Sequence, residues 1–414
     1  MSIEVLPATD ADTYLATDLL VWSERTHSLA PTMRDLGIPV DQRFAVDLPD
    51  GPDGTYAGIY GVRPLTLSLP GGRLEEEVAG LTWVGVHPDC RRRGVLSAML
   101  RDHFVRARKA GGGLSLLHAS EPGIYGRFGY GLAALEAEVA LSRGTTFTAP
   151  GLEKEAAALT TRLVDAASPG VTARLRRVAL RAAPERPGTV VGDEGFTDLE
   201  ALDVPELDQA KEPRRALFAQ RDGEDVGCVV LRRTPRWDDA RAAGTVRAGF
   251  FFAPPAARLA LLRRLVDLDL TSRVTLEHVG LDDPLLDWLP GPRGASDLRT
   301  YDSTWVRLVD LATAWSLRSY DAACDVVVEV EDAHAPWNAG RWRLSTRGGE
   351  GRAVRTDDAA DVSLGVDVLG AGFLGRSVAG LLRSGLVTEH RAGAYLELAR
   401  ALRTDLPPAA SIGF

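Results

Sequence analysis

Cysteine is scarce in this 414-residue chain. Cys90, Cys228 and Cys324 stand far apart and form no CxxC pair, which excludes a disulfide scaffold and a thiolate zinc site and fits a reducing compartment. Lysine is scarce too: of 48 basic residues only Lys109, Lys154 and Lys211 are lysine, an arginine excess that reads as genomic composition bias. Positive charge is in deficit, 48 basic against 57 acidic residues for a net charge of −9. That balance is poor for a nucleic-acid groove and better suited to cationic small molecules. No apolar run approaches the roughly 18 residues of a membrane span, and the start, MSIEVLPATD, lacks the cationic and apolar regions of a signal peptide. The expectation is a cytoplasmic protein with no membrane span and no nucleic-acid partner. No HExxH or GxSxG occurs, and His103 and His334 have no metal-ligand spacing to any partner, so no metal is expected.

What is present is the balance of a globular protein, 45% hydrophobic and 25% charged, with a length that calls for more than one core. Residues 56–69 alternate and are rich in β-branched and aromatic types, and Pro70-Gly71-Gly72 turns them into a second run, 75–87, which predicts a hairpin. From Arg93 to Lys109, Leu96, Met99, Leu100, Phe104 and Val105 share a helical face that Gly111-Gly112-Gly113 ends, and a short apolar run, 114–118, follows. Strand, helix, glycine turn and strand make a βαβ unit with parallel strands and a right-handed crossover, so the first domain, residues 1–145, is expected to be α/β with a mixed sheet. In the second, 146–300, a helix over 205–219, strands at 227–232 and 245–252, a helix over 256–267 and a strand at 273–278 repeat that order, which predicts a degenerate copy of the same fold. The third, 301–414, reads as α+β, with strands at 303–309, 324–331 and 341–345 and a largely helical end from 368 to 402.

The segment from Leu81 to Leu96, LTWVGVHPDCRRRGVL, runs a strand into a basic, glycine-bearing turn and then a helix. Free N–H groups and the positive helix end converge above Arg92, Arg93, Gly94, Val95 and Leu96, which makes an anion site or, on the bland reading, a solvated basic helix start. Gly94 removes a side chain that would block a pyrophosphate. The turn resembles the acetyl-CoA motif of GCN5-related N-acetyltransferases, R/Q-x-x-G-x-G/A, in Arg91-Arg92-Arg93-Gly94-Val95-Leu96, with Leu96 departing from the usual small residue. Together with HASEPGIYGRFGYG at 118–131, it resembles the enhanced intracellular survival (Eis) family of actinobacterial acetyltransferases. The likeness extends through 299–320 and Asp367-Val368-Leu369-Gly370 to a terminal phenylalanine.

That resemblance implies tandem GCN5-related acetyltransferase folds followed by a domain similar to sterol carrier proteins, acetyl-CoA as cosubstrate without a metal, and a homohexamer. It further implies that Val84, Gly85 and Val86 pair with the pantetheine arm and stabilise the oxyanion. By the same token Arg92 to Ser97 would cradle the pyrophosphate, and Ser120 and Glu121 would make further cofactor contacts. Tyr125 matches the family's general acid, since a phenol of pKa about 10 stays protonated at neutral pH; Tyr130 reads as structural. The general base implied is the α-carboxylate of Phe414. The apolar tail 409–414 after Pro407-Pro408 suits a terminus that folds back, or one packed for stability alone.

An amine-rich substrate calls for carboxylates and aromatic walls. Trp83 matches a pocket aromatic of the family, and Trp22 with Glu24 are further candidates, Glu24 reading equally as an exposed helix residue. The substrate class implied is a polycationic small molecule, aminoglycosides first; the alternatives are a lysine acetyltransferase acting on protein or peptide, and a non-catalytic CoA or lipid binder. Other signals are set aside. GAGFLG at 370–375 spells the dinucleotide fingerprint, but too little chain follows for a second parallel strand. His118 reads as a satisfied strand-end histidine, and Cys90, near the arginines, has no hydrolase-like partner.

Overall fold

The structure, a computed structural model, describes residues 3–24, 32, 37–203 and 211–414. Its chain divides into two compact units, residues 1–134 with 304–405 and Phe414, and residues 135–303 with 406–413.

In the first unit a mixed sheet runs in the order Leu6–Pro7, Arg43–Val46, Gly58–Ser68, Leu74–Val86, Leu114–His118, Thr304–Leu308 and Gly131–Leu132. The predicted hairpin is the antiparallel pair Gly58–Ser68 and Leu74–Val86, and the predicted crossover helix is Val95–Lys109. Met99, Leu100 and Phe104 are buried on its inner face. Leu74–Val86 and Leu114–His118 are parallel, but they pair only at Ala79 with Ser115 and Gly80 with Leu116. Beyond Gly80 they part. The cause is local: Ile59 pairs with Gly85 and Gly61 with Thr82, so Tyr60 faces both Trp83 and Val84, a β-bulge in which Trp83 takes a left-handed φ of +50°. The helix Ala11–Val21, capped by Asp10 accepting from Asp12 N and Thr13 N, covers this stretch, and a Cβ on Gly85 would press on Val21.

The same unit holds a five-stranded sheet, in the order Glu350–Arg355, Gly340–Arg347, Cys324–Glu331, Val362–Gly365 and Val387–Glu389. Thr304–Leu308, expected at the head of the third domain, pairs with Leu114–His118 in the first sheet. The helix Val366–Phe373 crosses it so closely that a Cβ on Gly131 would overlap the Asp367 carbonyl and one on Gly370 the Val306 carbonyl. The glycines of GAGFLG are therefore packing glycines. Arg307, with no side-chain exposure, donates to both oxygens of Asp332 at 2.8 and 2.6 Å. The helical expectation for 368–402 is corrected by the strand Val387–Glu389 between Val366–Phe373 and Ala394–Leu402.

The second unit has a seven-stranded sheet in the order Asp297–Asp302, Leu135–Ser142, Thr271–Gly280, Gly244–Phe252, Glu224–Thr234, Arg215–Arg221 and Thr160–Asp165. Leu135–Ser142 lies before the expected boundary at 145. The helix expected over 205–219 is a misreading: 204–210 fall outside the described residues, and Arg215–Arg221 is a strand, held on both sides by antiparallel neighbours. Tertiary pairing here overrides the helix-forming Ala, Leu, Gln and Arg of RALFAQR. The repeat of the first unit is otherwise clear. Gly244–Phe252 is parallel to Thr271–Gly280 across the helix Pro255–Val266, and between Gly249 and Phe252 it carries the same bulge, with Phe250 at φ +47°. The turn differs: Pro254-Pro255 stands where the first unit has its arginines and glycine, so the helix start lacks an N–H at Pro255.

Candidate active site

The parting of the two parallel strands opens a cleft of about 680 Å³ in the first unit. One wall is the strand end Val84, Gly85 and Val86. Its floor is the turn Arg91, Arg92, Gly94 and the first helical turn, Val95, Leu96 and Ser97; its far side holds Ser120, Glu121 and Tyr125. The turn leaves backbone donors free. Arg92 and Gly94 both have left-handed φ, +60° and +87°, which turns successive N–H groups the same way, and the helix they start has no side-chain cap to occupy its free N–H groups.

A second cavity of about 250 Å³ is lined by Asp18, Trp22, Glu24, Thr82, Trp83, Val84, His118, Ser120, Tyr125 and Phe414. The two share Trp22, Val84, Ser120 and Tyr125. Tyr125 follows from Pro122-Gly123, which starts a single helical turn after the strand Leu114–His118. It is 7% exposed and lies edge-on to Tyr130 at 6.0 Å. Burial, then the charge of Glu121, pushes its phenol up to about 12, so it is a proton donor at any physiological pH. Tyr130 is fully buried, its hydroxyl 2.8 Å from Ser115 Oγ, which in turn meets His103 Nε2 at 2.8 Å. That is a packing network.

Of the residues singled out in the sequence, Gly85, Val86, Arg92, Gly94, Val95, Leu96, Ser97 and Glu121 line the cleft, Trp83, Glu24 and Phe414 the second cavity, and Trp22, Val84, Ser120 and Tyr125 both. Arg93 is turned elsewhere: its guanidinium pairs with Asp50 at 2.7 Å. His118, set aside as a strand-end residue, faces the second cavity with its ring 4.5 Å from that of Phe414 and its Nε2 3.4 Å from Thr304 Oγ1.

Among the lining residues that escaped sequence reading, Asp18 brings a carboxyl group to the smaller cavity's wall. Asp18 lies on the helix Ala11–Val21, four residues after Tyr14 and four before Trp22. It is 5% exposed, and its Oδ1 has no hydrogen-bond partner among the described residues. Burial, with the charge of Glu24 adding, raises its carboxyl to about 7. Tyr14, whose ring stacks with Trp83 at 6.0 Å, buries its hydroxyl beside it, also unpartnered. The signal that could have found Asp18 is an acidic residue on the apolar side of a short helix. Among the described residues no cluster of His, Cys, Asp and Glu could hold a metal ion, and no helix is long and apolar enough to cross a membrane.

Chemically, the arrangement offers backbone hydrogen-bonding groups along an unpaired strand, an anion-binding turn, a buried phenol at the junction of two cavities, and carboxylates in the smaller one. Comparison with known proteins agrees. The acetyltransferase (GNAT) domain family matches residues 44–133 and a second family of the same description residues 194–308; the sterol carrier protein domain family matches 311–411. An uncharacterized N-acetyltransferase of Streptomyces avermitilis is 39% identical over 86% of this chain and 86% of its own. N-acetyltransferase Eis of Mycobacterium tuberculosis is 30% identical over 82% of this chain and 80% of its own. The crystal structure of Eis1 from Mycobacterium abscessus superposes with a TM-score of 0.80 at 27% identity, covering 99% of this chain and 100% of that one.

Proposed function

The chain belongs to the Eis-like N-acetyltransferases, with tandem GNAT domains and a sterol-carrier-like domain, and we propose that it transfers an acetyl group from acetyl-CoA to an amine of a polycationic small molecule, aminoglycosides first. The observation that carries this reading is the meeting of two cavities at Tyr125. When bound, acetyl-CoA supplies an activated acyl group as a thioester. The residues present fit it: the cleft pairs an anion turn at one end with an unpaired stretch of extended backbone at the other. Arg91, Arg92 and the N–H groups of Val95 to Ser97 hold the pyrophosphate, and Ser120 and Glu121 border the arm.

The strand end from Val84 to Val86 offers those of its backbone N–H groups that point away from Gly58–Ser68 to the thioester carbonyl, where negative charge grows as the amine attacks. The amine must be neutral to attack, and the Phe414 carboxylate accepts the proton that the nitrogen gives up. A carboxylate is a weak base in water, but a cavity that disfavours its charge strengthens it. Tyr125 donates to the departing sulfur. Transfer from a phenol near 12 to a thiolate of ordinary pKa about 8.5 is uphill by about 5 kcal/mol; the same burial raises the thiol as well and narrows the gap. The second unit repeats the fold without the anion turn, so it is read as the non-catalytic copy. A homohexameric state and a cytoplasmic location belong to the same proposal.

The test is a thiol-release assay with acetyl-CoA against aminoglycosides, linear polyamines and lysine peptides, run on the wild type beside a variant extended beyond Phe414. Turnover of aminoglycosides that collapses in the extended protein supports substrate class and base together. Preference for lysine peptides moves the reading to a protein acetyltransferase, and CoA binding without turnover of any amine overturns the enzymatic mechanism.

A further inference from the structure

We infer that Asp18 is a specificity-determining residue of the acceptor cavity: it binds a second, non-reacting cationic nitrogen of the substrate, so that the enzyme selects acceptors carrying at least two amines. This rests on the reading of the smaller cavity as the acceptor site. An aspartate only 5% exposed, with one carboxyl oxygen lacking any partner among the described residues, is an uncommon and costly arrangement in a folded protein. Its neighbours do not repair it. On its own helix stand Tyr14, whose hydroxyl is unpartnered as well, and just beyond it Glu24, which repels it. Across the cavity stand Tyr125, His118 and Phe414 with its α-carboxylate. No arginine or lysine lines the cavity among the described residues. The raised carboxyl follows from that surrounding, and a cation placed in the cavity would restore its ionisation.

The chemistry of transfer gives the cation its identity. The reacting nitrogen must shed its proton toward Phe414 and arrive neutral at the thioester, so it cannot also remain the ammonium partner of Asp18. A second amine on the same molecule can. Size agrees: a cavity of about 250 Å³ holds on the order of eight water volumes, the room of one amino-sugar ring or a short diamine. Trp22 and Trp83 wall it with aromatic faces that favour cations.

The experiment compares 1,4-diaminobutane and an aminoglycoside with butylamine, using wild type, Asp18→Asn and Asp18→Glu. In Asp18→Asn the KM for the diamine and the aminoglycoside should rise roughly tenfold or more, the step that corresponds to one charge-assisted contact. Saturated turnover, the KM for acetyl-CoA and the kinetics of butylamine should stay within about twofold, and Asp18→Glu should recover part of the diamine preference. A diamine-to-monoamine preference unchanged in Asp18→Asn overturns the inference while leaving the acetyltransferase reading intact. Should no amine be turned over by wild type, that reading falls instead. The inference is then decided by calorimetric binding of 1,4-diaminobutane, weaker in Asp18→Asn if it holds and equal if it does not. Thermal melts establish that each variant is folded.

Discussion

Replacing Tyr125 by phenylalanine deletes one oxygen and one hydrogen while keeping the ring. That ring packs in the core of the first unit with Phe128 and Tyr130, and its hydroxyl has no hydrogen-bond partner among the described residues, so the variant should fold with stability within about 0.5 kcal/mol of wild type. Its chemistry should suffer far more. Loss of a positioned general acid removes roughly a hundredfold to ten-thousandfold in rate, about 2.7 to 5.4 kcal/mol of barrier. Since Tyr125 borders both cavities without supplying the anion contacts, the loss should fall on kcat, with KM for acetyl-CoA little changed. Burial places the phenol near 12, so wild-type kcat should show no fall from loss of this proton up to pH 10, where a free tyrosine would be half ionised. The assay is thiol release under saturating acetyl-CoA from pH 6 to 10. A kcat within twofold of wild type with a raised KM for acetyl-CoA would refute the acid role and leave Tyr125 as a wall of the cleft.

In Gly94→Ala an added Cβ has room, its nearest neighbour Ile3 Cδ1 at 3.8 Å, so the φ of +87° alone should cost about 1–2 kcal/mol in a denaturant titration; Gly94 lines the cleft, and if the strained turn shifts, calorimetry should give a Kd for acetyl-CoA raised roughly tenfold or more. Asp332→Ala strands the buried Arg307 guanidinium and the donors Ala335 N and Asn338 Nδ2 and should cost about 3–5 kcal/mol in urea, with a smaller loss in Asp332→Asn, which keeps an acceptor. In the second unit Glu136, fully buried, accepts from Ser411 N and Ser303 Oγ and meets His278 Nδ1 at 2.9 Å. Burial lowers the His278 pKa, but the hydrogen bond and charge of Glu136 outweigh it, and the net shift is upward. The stability this pair contributes is therefore complete below the ordinary histidine value of about 6.5 and disappears as pH rises through the folded value. Melts between pH 5 and 9 should show that loss in wild type and a flatter profile in Glu136→Gln.

What could be read in the sequence was what short stretches of chain determine. The anion turn is local: Arg91 to Leu96 sit between a strand and a helix whose periods are visible, and their spacing alone sets the direction of the N–H groups. The parallel pairing and the crossover followed from Gly111-Gly112-Gly113 and two apolar runs. What escaped depends on distant chain. Arg93 faces Asp50 because the loop before Gly58 returns to the turn, which no window around residue 93 contains. Asp18 draws no notice in a short helix until Trp83 and Phe414 are seen lining the same cavity. Arg215–Arg221 has helix-forming residues and becomes a strand because two neighbours claim its backbone. The bulge at Trp83, which opens the whole site, leaves no mark at all in residue type.

That bulge places an edge in the interior of a sheet. Beyond Gly80 the strand to Val86 ends its ladder on one side, and an extended chain carrying amides, such as a pantetheine arm, can complete it as a missing strand would. Cosubstrate then acts on the fold as well as in the reaction. At one hundred times its Kd it would stabilise the first unit by about 2.7 kcal/mol, and those amides of 81–86 that point away from Gly58–Ser68 would exchange more slowly. Because free CoA carries the same arm and pyrophosphate, an acetyltransferase built this way couples its persistence to occupancy by the carrier, acetylated or spent, and melts with CoA and with acetyl-CoA should both rise.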